Sequence, residues 1–267
     1  MNLKYSLGFR LVPKTYLLFQ LLILLGFSLA FTPLSAVWLN LLVGWVVAIS
    51  LELTLSATQK KIVHLPDAAI ITATILVGVL AISTPPLIIA FVVAVSILAK
   101  HFIRYKSRHL FNPANLGVLL AVFLLGQNTQ WWIASNILVI VLLGTFVMSK
   151  LRRLWTPFVF LGGYFLLVFL TSPNISLEFM KATLVSDFSI YFFAFIILPE
   201  PQTSAWTANG RYINAFLTAL IAVSLTLFNI KAPLIIALAA INLLTPIVNE
   251  YAKVKRNDNK VDVLQEK

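Results

Sequence analysis

Ten apolar segments, separated by proline, glycine and charged residues, determine what this chain can fold into. They lie near residues 15–34, 36–56, 67–82, 85–99, 112–126, 131–149, 155–171, 188–199, 211–229 and 232–248. A membrane-spanning helix needs about 20 apolar residues, with a usual range of roughly 17–25, and most of the segments reach or approach that length. The segments at 67–82, 112–126 and 188–199 are shorter, which predicts broken, re-entrant or shielded helices.

The composition excludes a soluble globular protein. Of the 267 residues, 60% are hydrophobic and 11% are charged, whereas soluble domains are about half apolar and about a quarter charged. The net charge of +11 does not indicate nucleic-acid binding, because the basic residues lie between apolar segments. The lack of Cys excludes disulfides, thiolate metal sites and Cys nucleophiles. We therefore predict an all-α, polytopic membrane protein.

The basic residues predict the orientation of the helices. If the N-terminus is cytoplasmic and all ten segments cross, six stretches face the cytoplasm: 1–14, 57–66, 100–111, 150–154, 200–211 and the tail from 249. Of the 20 Lys and Arg residues, only Lys181 and Lys231 lie outside these stretches, as the positive-inside rule requires. We expect a multi-pass protein of the prokaryotic plasma (inner) membrane with both termini cytoplasmic. Residues 1–251 form a single transmembrane domain in this interpretation, and 252–267 form a disordered cytoplasmic tail.

The spacing of the segments indicates a duplication. Corresponding segments of the pseudo-repeats at about 15–126 and 131–248 begin about 120 residues apart. Each repeat contains five segments, and an odd number of crossings places the second repeat upside down relative to the first. Inverted repeats of this kind are common in transporters, with the functional site at the repeat interface.

A basic cluster leads into the first candidate site. Arg108 is followed within a few residues by Asn112-Pro113, which favours a helix start at the proline. Asn115 lies about one turn later, so both amides can face the same side. A helix start also offers free N–H groups to an anion or an electron-rich ring. The alternative interpretation is a loop with an ordinary helix cap.

Three further polar groups lie in or beside apolar segments. Asp67 is placed to cap a helix start, and Thr74 follows within the apolar run, where its hydroxyl can instead bond back to the helix. Glu52 lies at the end of the second segment, and a carboxylate within the membrane is a candidate for an ion path. It can alternatively reach the cytoplasmic interface beside Lys60 and Lys61. No His, Asp and Glu set has metal-ligand spacing, and no catalytic set is recognisable.

Four short motifs resemble a known family. Arg108-His-Leu-Phe-Asn-Pro-Ala-Asn-Leu-Gly117 is similar to the Asn-Pro signature of the membrane proteins NqrB and RnfD. These two belong to the sodium-translocating NADH:quinone reductase and to the Rnf electron-transport complex, respectively. Asp67-Ala-Ala-Ile-Ile-Thr-Ala73, Leu198-Pro-Glu-Pro-Gln-Thr-Ser204 and Asn242-Leu-Leu-Thr-Pro-Ile-Val248 resemble three other motifs of that family, in the same order.

The resemblance implies a fold and a function. The fold is a bundle of about ten transmembrane or broken helices in two inverted five-helix repeats, similar to urea transporters. The function is that of a membrane subunit of a flavin-dependent electron-transport complex that translocates Na⁺ or H⁺, or of a reduced homologue. Such a chain is a translocase or oxidoreductase subunit rather than a stand-alone enzyme, with the lipid bilayer and other subunits as partners.

The cofactor implied by the resemblance is a flavin. The family's covalent FMN is attached to a Ser/Thr-Gly-Ala-Thr motif after the Asn-Pro helix, and the Gly126–Gln130 loop lacks that motif. We therefore expect a non-covalent flavin, riboflavin or FMN, rather than covalent FMN. By the match, Asn112 and Asn115 contact its ring system, with Asp67 and Thr74 nearby and Arg108 at the mouth. Residues of the second half then shape the same entrance: Glu200, Thr203 and Ser204.

Two other functions remain open at this stage. A solute transporter or channel on the same inverted-repeat fold needs a polar track and no redox cofactor. Candidates for that track are Thr72, Thr74, Asn115, Asn136, Asn214 and Asn242. A purely structural assembly subunit is the third hypothesis, because six Trp and 20 Phe residues can serve packing alone.

Overall fold

Helical structure dominates the chain. The computed structural model describes residues 13–59, 66–106, 108–172, 176–185 and 187–265, and the chain is 75% helix. All ten apolar segments contain a helix: α1 (Pro13–Ser28), α2 (Leu34–Thr58), α3 (Asp67–Val79), α4 (Pro86–Phe102), α5 (Pro113–Phe123), α6 (Ile137–Lys150), α7 (Trp155–Thr171), α9 (Phe188–Phe192), α10 (Ala208–Leu227) and α11 (Pro233–Gln265). The sequence did not predict the short helix α8 (Leu177–Val185).

The apolar segments 67–82, 112–126 and 188–199 form the most deeply buried helices. They are α3, α5, and α9 with the π-helical turn Phe193–Ile197 that continues it. At 1.5 Å per residue, each is about 20 Å long or less, which is shorter than the roughly 30 Å hydrocarbon core. The side chains from Ile71 to Leu80 are all buried, as are those from Phe192 to Leu198. The rest of the described chain therefore shields these helices, as the sequence predicts.

Within the described residues, three helices are long and apolar enough to cross a membrane. They are α2, α10 and the part of α11 from Pro233 to Tyr251. Seven more apolar helices are 10–17 residues long. Large side chains such as Leu87, Phe91 and Leu142 are exposed on the outside of the helices, as expected for a surface that faces lipid.

Side-chain caps fix several helix starts. The Asn112 side chain accepts from the backbone N–H of Asn115 at α5, and Asn136 caps α6 in the same way. Asp67 is not the cap of α3, because it is already the first helical residue and follows Pro66. Its Oδ1 instead accepts from the N–H of Ala68, at 2.7 Å. It still satisfies one of the free N–H groups of the first turn.

The two halves of the chain show the same pattern of helix neighbours. In the first half, α2 packs against α3 and α4, and α4 packs against α5. In the second half, α7 packs against the π-helical turn and α10, and α10 packs against α11. The halves contact each other through α1 with α6 and through α5 with α11. These two contacts join helices that correspond under the predicted duplication.

Contacts bring the basic stretches 100–111, 150–154 and 200–211 together at one end of the bundle, which we name the basic end. Lys100 forms an ion pair with Glu52 at 2.7 Å, which joins the ends of α2 and α4. Arg108 donates to the carbonyl of Pro201 at 3.3 Å, and Arg153 donates to Ser204. A short hairpin at this end pairs β1 (Arg104–Tyr105) with β2 (Arg108–His109).

The last helix continues beyond the apolar segment. The backbone of α11 is helical to Gln265 and thus enters the stretch 252–267, which the sequence predicts to be a disordered cytoplasmic tail. That expectation stays a prediction. Lys60, Lys61 and His64 lie outside the described residues. The expected position of Glu52 beside the two lysines therefore stays a prediction.

Candidate functional site

A cavity lies at the basic end where the two halves of the chain meet. This interface cavity has a volume of about 100 Å³. Its first-half wall comes from α3 and from the start of α5, and its second-half wall comes from the π-helical turn and the turn after it. The residues that line the cavity include Ala68, Ile71, Thr72, Ile75, Lys100, His109, Asn112, Pro113, Ile196 and Gln202.

Asn112 lies in the wall of the interface cavity and is also a structural residue. It is 4% exposed. Its Oδ1 accepts from the N–H of Asn115, and its Nδ2 donates to the carbonyl of Ile197 at 3.1 Å. An amide nitrogen carries two hydrogens, so one donor of Asn112 remains for a ligand. The residue therefore joins α5 to the second half and can contribute one hydrogen bond to the cavity.

Asn115 and Thr74 do not line the interface cavity. Asn115 donates to the carbonyl of Ile235 at 3.0 Å and links α5 to α11. Thr74 is fully buried and accepts from the indole N–H of Trp45 at 2.9 Å, so its hydroxyl faces α2. Both predicted contacts thus support helix packing, and Thr72 is the threonine of α3 that lines the cavity.

A second cavity, the basic pocket, lies on the other side of the turn that follows the π helix. Its volume is about 180 Å³. Arg108, Thr203 and Trp206 line it, together with Asn242 and Thr245 of α11. The Arg108 guanidinium lies 5.5 Å from the centre of the Trp206 ring, within the range of a cation–π contact. His109 and Gln202 line both cavities.

The turn itself contains Glu200, Thr203 and Ser204. The Glu200 carboxylate accepts from the Thr203 hydroxyl at 3.1 Å, and the Glu200 carbonyl accepts from Ser204 at 2.8 Å. Glu200 lines the interface cavity, whereas Thr203 lines the basic pocket. The structure therefore places these three predicted residues at one turn, but of the three only Glu200 lines the interface cavity.

Two arginines that sequence reasoning treated only as orientation signals also hold this turn. Arg153 follows α6, and Arg211 lies in the first turn of α10, where it donates to the carbonyl of Trp206 at 3.0 Å. Burial, together with the positive charges of Arg211 and Arg108, lowers the pKa of Arg153 to about 10, against the opposing effect of Glu200. The turn is thus surrounded by more positive than negative charge. The sequence shows that both arginines flank apolar segments. It does not show that the two side chains converge on this turn.

Glu52 lies apart from both cavities. Besides Lys100, its carboxylate contacts the ring nitrogen of His101 at 3.0 Å. It therefore belongs to an ion-pair cluster near the basic end, as in the interfacial interpretation, with partners from α4. Among the described residues, no group of three or more His, Asp or Glu side chains is arranged to hold a metal ion.

No family model matches the chain, and no curated protein matches it with significant similarity.

Proposed function

We propose that this chain is a membrane subunit of a flavin-dependent electron-transport complex that translocates Na⁺ or H⁺. One observation carries the proposal: all four motifs of the sequence resemblance converge at the basic end. Segments 67–73, 108–117 and 198–204 contribute to the interface cavity, and segment 242–248 lines the adjacent basic pocket. They are separated by up to about 180 residues in the sequence. A shared ligand-binding region gives one reason for polar motifs to meet there.

We also infer how the helices are arranged in the membrane. The two halves are inverted repeats of five helices each, placed in a prokaryotic plasma membrane with the basic end cytoplasmic. The matching helix neighbours in the two halves support this inference. So does the position of the interface cavity, since inverted-repeat proteins commonly bind their ligands between the repeats.

The interface cavity suits a flavin in its chemistry. Ile71, Ile75 and Ile196 supply apolar surface, against which a planar ring can lie. Polar groups at its edge are few, as is typical of ligand sites. They include the Thr72 hydroxyl and the Gln202 amide. The donor and acceptor edge of the ring system can pair with such groups.

The chain's own residues would bind and orient the ring. Thr72, Gln202 and the remaining amide hydrogen of Asn112 would hydrogen-bond to its polar edge. Lys100 lies in the cavity wall and places positive charge there, although it also pairs with Glu52. The buried isoleucines would exclude water from the ring faces. A bound flavin would supply the capacity to accept and pass on electrons.

An absorption spectrum of the detergent-purified protein, repeated after acid precipitation, tests this proposal. We expect a flavin band that moves to the supernatant, because the covalent attachment motif is missing. Substituting Ala68→Trp should fill the cavity and remove the band. The matched control is Ala36→Trp, at an exposed alanine of α2, which should retain it. Folded protein without a band contradicts the flavin assignment, and a band that stays with the pellet contradicts non-covalent binding.

A second candidate function is a solute transporter or channel without redox chemistry. The observation that favours it is the engagement of Asn115 and Thr74 in helix packing, which removes two of the polar contacts proposed for the flavin. Uptake of small solutes into flavin-free proteoliposomes would support this candidate. Flavin-dependent electron transfer by the purified chain with its partner subunits would support the first one.

A further inference from the structure

A small chamber lies inside the second half, between α7, α10, α11 and the turn after the π helix. It is lined by residues that include Thr156, Arg211, Asn214 and Asn242. The remaining free space accommodates an occupant about the size of one water molecule. The chamber shares Thr203, Asn242 and Thr245 with the basic pocket, so the two spaces adjoin.

Four buried polar atoms of residues that line the chamber have no hydrogen-bond partner in the part of the chain that the structure describes. They are Thr156 Oγ1, Arg211 Nε, Asn214 Oδ1 and Asn242 Nδ2. Thr156, Asn214 and Asn242 are 2%, 5% and 2% exposed. Buried polar groups are nearly always paired, and an unpaired group is costly. Four such atoms on the residues around one space therefore indicate that a hydrogen-bonding group occupies it, either a water molecule or part of a ligand.

The hydrogen-bond roles of these atoms can be assigned from their neighbours. The Thr245 hydroxyl donates its single hydrogen to the carbonyl of Ile241 at 2.8 Å, so it must accept from Asn214 Nδ2 at 3.0 Å. This orientation leaves Asn214 Oδ1 as an acceptor facing the chamber. Arg211 Nε and Asn242 Nδ2 are donors. The chamber therefore requires an atom that accepts from two donors and donates to one acceptor, which is the capacity of a hydroxyl group.

The surroundings of the chamber favour an anion. Arg211 lines it, Arg153 donates to Ser204 in its wall, and Arg108 lines the adjoining basic pocket. Glu200 is the carboxylate that acts on this arginine group. Partly buried charges need compensation, and three guanidinium groups beside one carboxylate leave an excess of positive charge for a ligand to balance.

We propose that the basic pocket and the chamber together bind a small anion that carries a hydroxyl group. The hydroxyl enters the chamber, where it accepts from Arg211 Nε and Asn242 Nδ2 and donates to Asn214 Oδ1. The anionic group remains in the basic pocket, on the side of Arg108. This site lies across the turn from the interface cavity, and it does not depend on the proposed flavin.

Binding of glycolate and of propionate to the purified full-length protein, measured by isothermal titration calorimetry, tests this assignment. The two ions have the same charge and nearly the same shape, but in propionate a methyl group replaces the hydroxyl. Since a methyl group would leave three buried polar atoms unpaired, we expect glycolate to bind at least about tenfold more tightly. Equal affinities, or binding of neither ion, would overturn the proposal.

Variants locate the preference at the chamber. Asn214→Leu removes the acceptor and should reduce the preference for glycolate to about one. The matched control is Asn40→Leu in α2, a buried asparagine that donates to the carbonyl of Thr84 far from the chamber; it should keep the preference. Asn242→Asp, which replaces a donor by a negative charge, should abolish glycolate binding. If both chamber variants still bind glycolate more tightly than propionate, the assignment is overturned, whatever the flavin spectrum shows.

Discussion

Two groups of three helices, one in each half, have the same pattern of neighbours but different interiors. In the first half, α4 packs against both α2 and α5, and the buried polar side chains Asn40, Ser96 and Asn115 lie among aliphatic ones such as Val37 and Val118. In the second half, α10 packs against both α7 and α11, and buried polar side chains gather around one chamber: Thr156, Asn214, Asn242 and Thr245. One arrangement of helices thus provides a packing unit in one half and a candidate binding site in the other. Function follows from the residues placed on a fold rather than from the fold itself.

The largest expected effect concerns the close packing of the first group. A Cβ atom at Gly117 would lie 2.3 Å from Leu76 Cδ1 and 2.3 Å from Ser96 Oγ. Gly117→Leu should therefore lower the free energy of unfolding in mixed detergent by about 3 kcal/mol, or prevent folding. Gly162 of α7 has no atom within 4 Å of such a Cβ, so Gly162→Leu is the control. Similar losses for both variants would contradict the packing described for the first half.

The next effect concerns the junction between the halves. Asn112→Ala removes the α5 cap and the hydrogen bond to Ile197, and leaves that carbonyl unpaired. We expect a loss of about 2 kcal/mol, compared with about 1 kcal/mol for Asn136→Ala, which removes a cap alone. Thermal unfolding of both variants in the same detergent measures the difference. Equal losses would mean that the contact with Ile197 adds nothing to stability.

The candidate site was predicted from the sequence only as far as local signals allow. The Asn112-Pro113 pair and the apolar runs identified the helices and their starts, because caps and hydropathy are properties of a few neighbouring residues. The short helix α8 was missed, since Glu178 and Lys181 interrupt its apolar pattern. Arg153 and Arg211 were counted as basic residues, but a sequence does not show that side chains 58 residues apart reach one turn. For the same reason, the engagement of Thr74 by Trp45 was not predicted.

A smaller effect should distinguish paired from unpaired polar groups within the second group. Thr156 Oγ1 has no partner among the described residues, whereas Thr218 Oγ1 donates to the carbonyl of Asn214 at 2.7 Å. In buffer without small anions, Thr156→Val should leave stability unchanged or raise it by up to about 1 kcal/mol, because it removes an unpaired hydroxyl. Thr218→Val should lower it by about 1 kcal/mol. A clear loss for Thr156→Val would show that its hydroxyl is already satisfied.

The smallest effect is expected at the surface of the basic end. Glu250 contacts Lys106, and this hydrogen bond raises the pKa of the lysine. Both side chains are well exposed, and exposed ion pairs contribute little. Glu250→Gln should therefore leave the unfolding temperature unchanged within error at neutral pH. A marked decrease would show that the hairpin is held to α11 more strongly than its exposure indicates.

Cysteine labelling tests the claim that the two halves are inverted and that both contribute to the basic end. The method suits this chain because it has no native Cys. Each half offers two exposed positions for a single cysteine. Thr58 and Ser149 lie at the basic end, and Ser35 and Ser176 lie at the opposite end. In intact cells, an impermeant maleimide should label the Ser35→Cys and Ser176→Cys variants. Thr58→Cys and Ser149→Cys should react only after the membrane is opened. Labelling of Ser35 and Ser149 from the same side would contradict the inverted arrangement.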